Sequence, residues 1–298
     1  MNPVFRRDDP LPPGEVEWIA PGVRRVICNN PGPFTFRGTN TYLIGRGEVA
    51  VLDPGPVDEA HLRAILAAVR GERVTRILVS HTHRDHSPGV APLKAATGAT
   101  TLGFGPHMTP ASEGEGGDHD FSPDLRLADG EVVEGDGWRL TALHTPGHCA
   151  NHLCFALEAD AALAPPGVLF SADHVMAWST SVVSPPDGDM ADYMRSLDRV
   201  AARGDRLLLP GHGPAQDDPG PYIRALIAHR QEREAAVLAA LRASPGPVSA
   251  VELVRAVYGP ALEERLVPAA ARSLLAHLLK LAAEGLAVAS EGGRFRAG

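Results

Sequence analysis

The sequence predicts an α/β protein, a four-layer αββα sandwich followed by a small helical winged-helix-like module. Three observations carry that expectation. Short β-like runs and one amphipathic helix lead into a dense histidine cluster at residues 81–86. A second β-rich half with its own outer helix then repeats the plan, and from about Pro221 the composition turns to Ala, Leu and Arg. At 298 residues, 44% of them hydrophobic, the chain can bury a large core, and its length suits one or two domains. The expected division is a sandwich domain over residues 1–220 and a winged-helix-like domain over 221–298.

The elements follow in chain order. Residues 1–14 are Pro-rich, contain Arg6, Arg7, Asp8 and Asp9, and lack the apolar centre of a secretory leader. Residues 42–44 and 49–52 form strands between Gly and Asn turns. Asp58 is a good N-cap for a helix whose Leu62, Ile65, Leu66 and Val69 share one face, with Gly71 closing it. Residues 76–80 form a buried strand, and Pro92 suits the first turn of a short helix. Residues 103–124, rich in Gly, Asp, Glu and Pro, form a surface loop that overhangs the histidine cluster.

In the second half, residues 138–143, 152–157 and 168–171 form strands, 190–202 a helix and 207–209 a strand. A long helix over 222–241 ends before the Ser244-Pro245-Gly246-Pro247 break. Ser249 and Glu252 then make a capping box for a helix through Val257. Another helix covers 269–283, and the chain closes with a hairpin turning at Gly292-Gly293. Helix, helix, hairpin is the order of a winged-helix module.

Composition narrows the function classes. Cys28, Cys149 and Cys154 are too few for a disulfide framework, which agrees with a reducing compartment, and Cys149 is expected as a small buried residue rather than a ligand. No stretch approaches the roughly 18 uncharged apolar residues of a membrane span, so a cytoplasmic protein without a membrane partner is expected. The net charge is −8, but from Pro221 onward ten Arg/Lys face seven Asp/Glu, a net of +3 that leaves −11 on the first 220 residues. Bound divalent cations would offset part of that acidity, and the basic tail is compatible with a polyanion.

The chemistry centres on His81-Thr82-His83-Arg84-Asp85-His86, four metal-binding side chains in six residues after an apolar strand. Imidazole nitrogens with carboxylate oxygens suit a transition metal. On extended backbone His81 and His83 point the same way and share one ion, while Asp85 and His86 serve a second. Single donors follow at His148 in Thr145-Pro146-Gly147-His148, at Asp173 in Phe170-Ser171-Ala172-Asp173-His174, and at His212 in Pro210-Gly211-His212-Gly213. Each lies beyond a β-like run, and glycine lets the backbone come close to an ion. The expected sets are His81, His83 and His148 for one metal and Asp85, His86 and His212 for the other, with Asp173 between them. His174 faces away from Asp173 and stands outside the set. His152 is the candidate leaving-group acid, while Asn40 and Thr41 support the site through the backbone. His61, His107, His119, His229 and His277 are expected as solvated or core residues, and Met176, Trp178 and Met190 as apolar packing.

The pattern HxHxDH, then H, D and H, resembles the metallo-β-lactamase-fold hydrolase superfamily at all seven positions, over residues 20–215 or so. Asn30-Pro31-Gly32-Pro33-Phe34-Thr35-Phe36-Arg37-Gly38-Thr39-Asn40-Thr41-Tyr42 and Ile227-Ala228-His229-Arg230 are similar to the β-lactamase-like 2 group. That group joins the sandwich to a winged-helix-like end, and its best-known animal member is an endoribonuclease. The chain departs from that member in a longer segment at 177–189. The resemblance implies two divalent metal ions, zinc first with manganese or iron as alternatives. They lower the pKa of water from about 16 to about 7, and a metal-bridging hydroxide attacks a carbonyl or phosphoryl centre. Asp85 is the expected catalytic residue as well as a ligand, moving the proton of the nucleophile. The expected function is a binuclear metal-dependent hydrolase of a small-molecule ester or thioester, because the acidic part lacks a basic channel. Cleavage of single-stranded RNA is the alternative, and a nucleic-acid-binding regulator with a vestigial metal site is a further one, with Arg294 and Arg296 on the wing meeting the phosphates.

Overall fold

A computed structural model describes residues 2–112 and 116–298. The first sheet runs in chain order through β1 (Val16–Ala20), β2 (Val23–Ile27), β3 (Asn40–Ile44), β4 (Glu48–Leu52), β5 (Arg73–Leu78), β6 (Thr100–Gly103) and β7 (Leu125–Arg126). The second is built from β8 (Val132–Gly135), β9 (Trp138–His144), β10 (Leu153–Ala159), β11 (Val168–Ala172), β12 (Leu207–Pro210) and β13 (Gln216–Asp217), ordered β13-β12-β11-β10-β9-β8.

Side-chain alternation explains the four layers. Tyr42, Ile44, Leu52 and Leu78 of the first sheet meet Leu140, Phe155, Phe170 and Leu209 of the second in a shared core. Leu43, Val49, Val51 and Ile77 point the opposite way, under α1 (Glu59–Ala68) and α2 (Val90–Thr97), where Ile65 and Leu93 cover them. Cys154, Ala156, Leu169 and Leu208 face α3 (Met190–Arg203) and the start of α4 (Pro219–Ala243), against Tyr193, Leu197, Ile223 and Leu226. With both faces covered, the central strands are near-continuous apolar runs.

The parallel pairs place the loops. β4 and β5 run parallel with Leu52 opposite Leu78, and β11 and β12 run parallel with Ala172 opposite Pro210. Their carboxyl ends therefore open at matched heights, the usual place for a site in such sheets. The strand expected at 76–80 lies at Arg73–Leu78. It stops early because the Ser80 N–H bonds a carboxylate, that of Asp53, at 2.7 Å instead of a strand. Within the loop expected at 103–124, residues 113–115 lie outside the described residues. The described part does overhang the histidine cluster: Asp118 N–H donates to Thr82 O at 2.7 Å and Arg84 N–H to Gly116 O at 2.9 Å.

The C-terminal module consists of β14 (Val248–Ser249), α5 (Ala250–Tyr258), α6 (Val267–Ala283), β15 (Ala287–Ser290) and β16 (Arg294–Ala297), with sheet order β14-β16-β15. Leu253, Val254, Leu274, Leu278, Leu281 and Phe295 form its own core together with Val237 and Leu241 from the end of α4. By length and composition the segment Glu264–Ala283 is apolar enough to cross a membrane, but Leu274, Leu278 and Leu281 spend that apolarity on this core. The capping box forms as the sequence indicates: the Ser249 side chain accepts from Glu252 N–H and Glu252 accepts from Ser249 N–H.

Ser249→Ala removes one half of that box and is expected to destabilise the module by about 1 kcal/mol. Urea denaturation should show an earlier midpoint, and an unchanged midpoint would mean that the exposed helix start does not depend on this cap.

Candidate metal centre

All seven expected donors meet between the two sheets at the open strand ends. His81, His83 and His148 present ring nitrogens within 4.8 Å of one another, and the ring nitrogens and carboxylate oxygens of His81, His86 and Asp173, and of Asp85, His86 and His212, converge within the same distance. Asp173 links the groups: its Oδ2 lies 3.7 Å from His148 Nε2 and 3.4 Å from His212 Nε2, and its Oδ1 lies 3.5 Å from His86 Nε2. Asp85 Oδ2 approaches His212 Nε2 at 3.2 Å.

Partners on the far side of each ring fix which nitrogen faces inward. His86 Nδ1 donates to Asp53 Oδ2 at 3.0 Å, His148 Nδ1 to Val182 O at 2.6 Å, and His212 Nδ1 to Gly38 O at 3.1 Å. The Ser80 hydroxyl donates to Asp53 Oδ2 at 2.6 Å and so accepts from His81 Nδ1 at 2.9 Å. With each Nδ1 proton spoken for, the Nε2 lone pairs of His81, His86, His148 and His212 turn towards one another, the tautomer arrangement of metal-ligating histidines.

That arrangement fits cations and little else. His86 Nε2 and His212 Nε2 stand 3.2 Å apart and can share at most one proton, and His83 Nδ1 stands 3.0 Å from His148 Nε2. Among the described residues no donor reaches the buried His81 Nε2 and no partner satisfies Asp173 Oδ1. Buried polar atoms without partners are costly, and a nitrogen-and-oxygen donor set suits a divalent transition metal.

The electrostatics agree. Burial lowers the imidazole pKa of His81 well below its usual value and that of His148 to about 4, with neighbouring histidines adding to the effect. Burial also opposes charge on His86 and His212, but there Asp85 and Asp173 prevail, holding His86 well above its usual value and His212 at about 9. In return His86 and His212 keep the Asp85 and Asp173 carboxyls ionised despite their burial. A proton held between these two imidazoles thus offsets part of the negative charge of the two carboxylates.

The backbone is shaped to these positions. Asp53 follows β4 in the left-handed region at φ 52°, and Ala172 ends β11 at φ 43°, a conformation costing non-glycine residues roughly 1–2 kcal/mol. A Cβ on Gly211 would collide with Asp173 Oδ1 and lie 2.8 Å from His86 Cε1. Asn40 Nδ2 donates to Pro210 O at 2.9 Å and Gly213 O at 2.8 Å, clamping the His212 turn, while Thr41 Oγ1 donates to Asp53 O at 2.6 Å. Both therefore support the site as expected.

Sequence reasoning missed Asp53 and Asp187. Asp53 lies directly beyond an apolar strand, the same signal that singled out Asp173. Asp187 Oδ2 lies 3.5 Å from His83 Nε2, and its Oδ1 accepts from Thr109 Oγ1 at 3.0 Å. His107, expected as a solvated or core residue, is half-buried beside Asp187 and bonds Thr82 Oγ1 at 2.8 Å. His152 does not face the opening: its Nδ1 bonds Thr145 Oγ1 at 2.9 Å and its Nε2 accepts from Asp173 N–H at 3.3 Å. His174 turns away from the donors and packs on Tyr193, ring centroids 5.1 Å apart. Cys149 is buried with its thiol pKa pushed up by burial, so it acts as a protonated small side chain.

Comparison with known proteins agrees with this geometry. The metallo-beta-lactamase superfamily profile matches residues 34–212, and the beta-lactamase associated winged helix domain matches residues 249–294. An atrochrysone carboxyl ACP thioesterase from Aspergillus chevalieri is 32% identical over 288 residues, covering 92% of this chain and 85% of the relative. A beta-lactamase domain protein from Burkholderia ambifaria superposes with a TM-score of 0.80 at 25% identity, covering 99% of this chain and 97% of the other. A metallo-beta-lactamase family protein from Thermus thermophilus gives 0.73 at 26% identity, with coverage of 93% and 99%. Two strand-end clusters of imidazole and carboxylate, on a sandwich closed by a winged helix, thus agree with the sequence matches: the chain belongs to the metallo-beta-lactamase superfamily.

Proposed function

We propose that the protein is a metal-dependent thioesterase in which His81, His83, His148, Asp85, His86, His212 and Asp173 hold two divalent cations. The observation that carries this reading is the convergence of five imidazoles and two carboxylates, with the buried His81 Nε2 and Asp173 Oδ1 left without a hydrogen-bond partner among the described residues. Relatives named as acyl-carrier-protein thioesterases, matching 82–92% of the chain, favour a thioester over other acyl or phosphoryl substrates. Zinc suits the donor set best. Divalent cations supply Lewis acidity there, making water acidic enough to ionise near neutral pH and stabilising negative charge on an acyl oxygen.

The side chains divide the remaining work. Asp85 has 27% of its side chain exposed, against 8% for Asp173, so it is the carboxylate at the mouth that takes the proton of an attacking water. Asp173 stays between the two histidine groups. Asp53 holds His86 directly and His81 through Ser80, and Asp187 stands behind His83. A thiolate, with an ordinary pKa of about 8.5, leaves near neutral pH without a strong acid. That suits a site whose buried His152 is committed to Thr145 and the Asp173 backbone. Of the two wing arginines, Arg294 is paired with Glu252 at 2.9 Å, which leaves Arg296 as the wing's exposed cation.

Asp85→Asn is expected to reduce kcat/KM on an acyl thioester by roughly 100-fold or more, followed by thiol release; full turnover by this variant would remove Asp85 from the mechanism. Asp53→Asn should leave the seven donors in place yet lower metal affinity about 10–100-fold, measured by competition with a chromophoric chelator. Unaltered affinity would show that the His81 and His86 tautomers do not need this carboxylate. Because the His212 imidazole holds its proton up to about pH 9 in the metal-free chain, cation binding at pH 7 must expel it. Calorimetry in buffers of different ionisation enthalpy should therefore detect proton release, and metal affinity should fall on acidification; binding without proton release contradicts the assignment of His212.

A further inference from the structure

Beside the metal centre lies a groove of about 330 Å³ between the segment 176–183 and the C-terminal module. Its walls combine apolar and aromatic surface, including Phe34, Trp178 and Tyr258, with Arg230, Arg233 and Arg272, and no carboxylate lines it among the described residues. That is unusual in a chain of net charge −8.

Among the described residues, none of the three guanidinium groups is paired with an acid. Arg230 is 5% exposed, its carbon Cζ lies 5.2 Å over the Tyr193 ring, it donates to Ser181 O, and its Nε has no partner. Arg233 lies 4.2 Å over the Tyr258 ring and donates to Val257 O. Arg272 has no hydrogen bond or ion pair among the described residues. Burial and the positive fields of Arg230 and Arg233 keep the neighbouring His229 neutral at pH 7. For the buried Arg230 an uncompensated charge is costly, Arg233 is half-buried and Arg272 exposed beside it, and a ligand anion would supply the missing counter-charge.

The groove is also tied to the reacting centre. Ser181 O is held by Arg230, and the next carbonyl, Val182 O, orients His148. On the other side, Phe34 belongs to the loop whose Gly38 O orients His212, and Phe36 of that loop stacks on Trp178 at 5.0 Å. A molecule lying in the groove therefore abuts the segments that aim both histidine groups.

Building on the thioesterase reading above, we infer that this groove binds the phosphate-bearing thiol arm of the substrate, with the arginines on the phosphate and the apolar walls along the arm. Arginine forks match phosphate oxygens, and the size suits a small arm rather than a polynucleotide tracking successive phosphates and bases.

The metal-loaded full chain can be assayed with one acyl group on phosphopantetheine and on pantetheine, which lacks the phosphate. The phosphorylated arm should be favoured roughly 10–100-fold in kcat/KM. The ratio should fall towards one in the Arg233→Ala/Arg272→Ala variant and be partly retained in Arg272→Lys, which keeps a charge. A carrier protein and coenzyme A both present this phosphate, and preference for either over the bare arm supports the inference. A wild-type ratio of one, or a ratio that the double substitution leaves unchanged, overturns the groove assignment while the thioesterase reading stands. Hydrolysis of no thioester overturns both. Single-stranded RNA binding that depends on the same arginines, with a thioester ratio of one, gives the groove to a different ligand and also overturns the inference.

Discussion

The Asp53 carboxylate is the constraint on which the centre depends. One oxygen takes the Ser80 N–H while the other receives the Ser80 hydroxyl and His86 Nδ1, and through Ser80 the same group fixes His81. Parallel pairing of β4 with β5 brings this about, because Leu52 and Leu78 are in register and the residues beyond them emerge together. The left-handed turn at Asp53 costs roughly 1–2 kcal/mol, whereas buried hydrogen bonds to a charged group contribute about 1.5–3 kcal/mol each. The balance favours the strained turn, and the strain is the reason the carboxylate points back at the histidines rather than out along the strand.

The second sheet solves the same problem with other means. Ala172 and Gly211 sit side by side at the ends of a parallel pair, and the Gly211 N–H donates to Ala172 O at 2.9 Å. Glycine is required at 211 because Asp173 and His86 occupy the space a side chain would take. Asn40 then stitches this edge to the first sheet through two carbonyls. Neither half alone carries a complete donor set, so the centre exists only when the sheets are packed face to face. The shared core of Tyr42, Leu78, Phe155, Phe170 and Leu209 is therefore as much a condition of the cluster's geometry as the seven side chains are.

The seven donors were legible because four of them are compressed into six residues and the others stand in short turns after apolar runs. The capping box at Ser249 was legible because its partners are three residues apart. Asp53 carries the same signal, directly beyond an apolar run, but before Pro54-Gly55 an aspartate looks like ordinary turn chemistry, and its partner Ser80 is 27 residues away. Asp187 was hidden for the same reason, inside a segment at 177–189 that stood out by its length alone. The end of β5 was placed two residues late because its apolar pattern continues while the ladder gives way to a side-chain acceptor, a competition that periodicity does not record. The three arginines of the groove come from two helices, and only the packing of α4 against α6 shows that they face one another across apolar walls.

That packing also explains how a distal module can shape chemistry on the sandwich. The 25-residue α4 spans about 37 Å and belongs to two cores, with Ile223 and Leu226 under the second sheet and Val237 and Leu241 inside the C-terminal module. Arg230 lies between these anchor points, where the helix passes the groove, and is itself held by Ser181 O and Tyr193. Ala276 of α6 enters the sandwich-side core as well. The module is thus fastened at two helices instead of hanging from a linker, and the groove walls are set by close packing, which resists deformation. Shape and charge are thereby fixed side by side: carboxylates and imidazoles gather at the strand ends, while the groove arginines have no acid partner among the described residues. On the reading proposed above, a substrate that brings its own negative charge is drawn to the arginine side, with its acyl group towards the mouth where Asp85 stands.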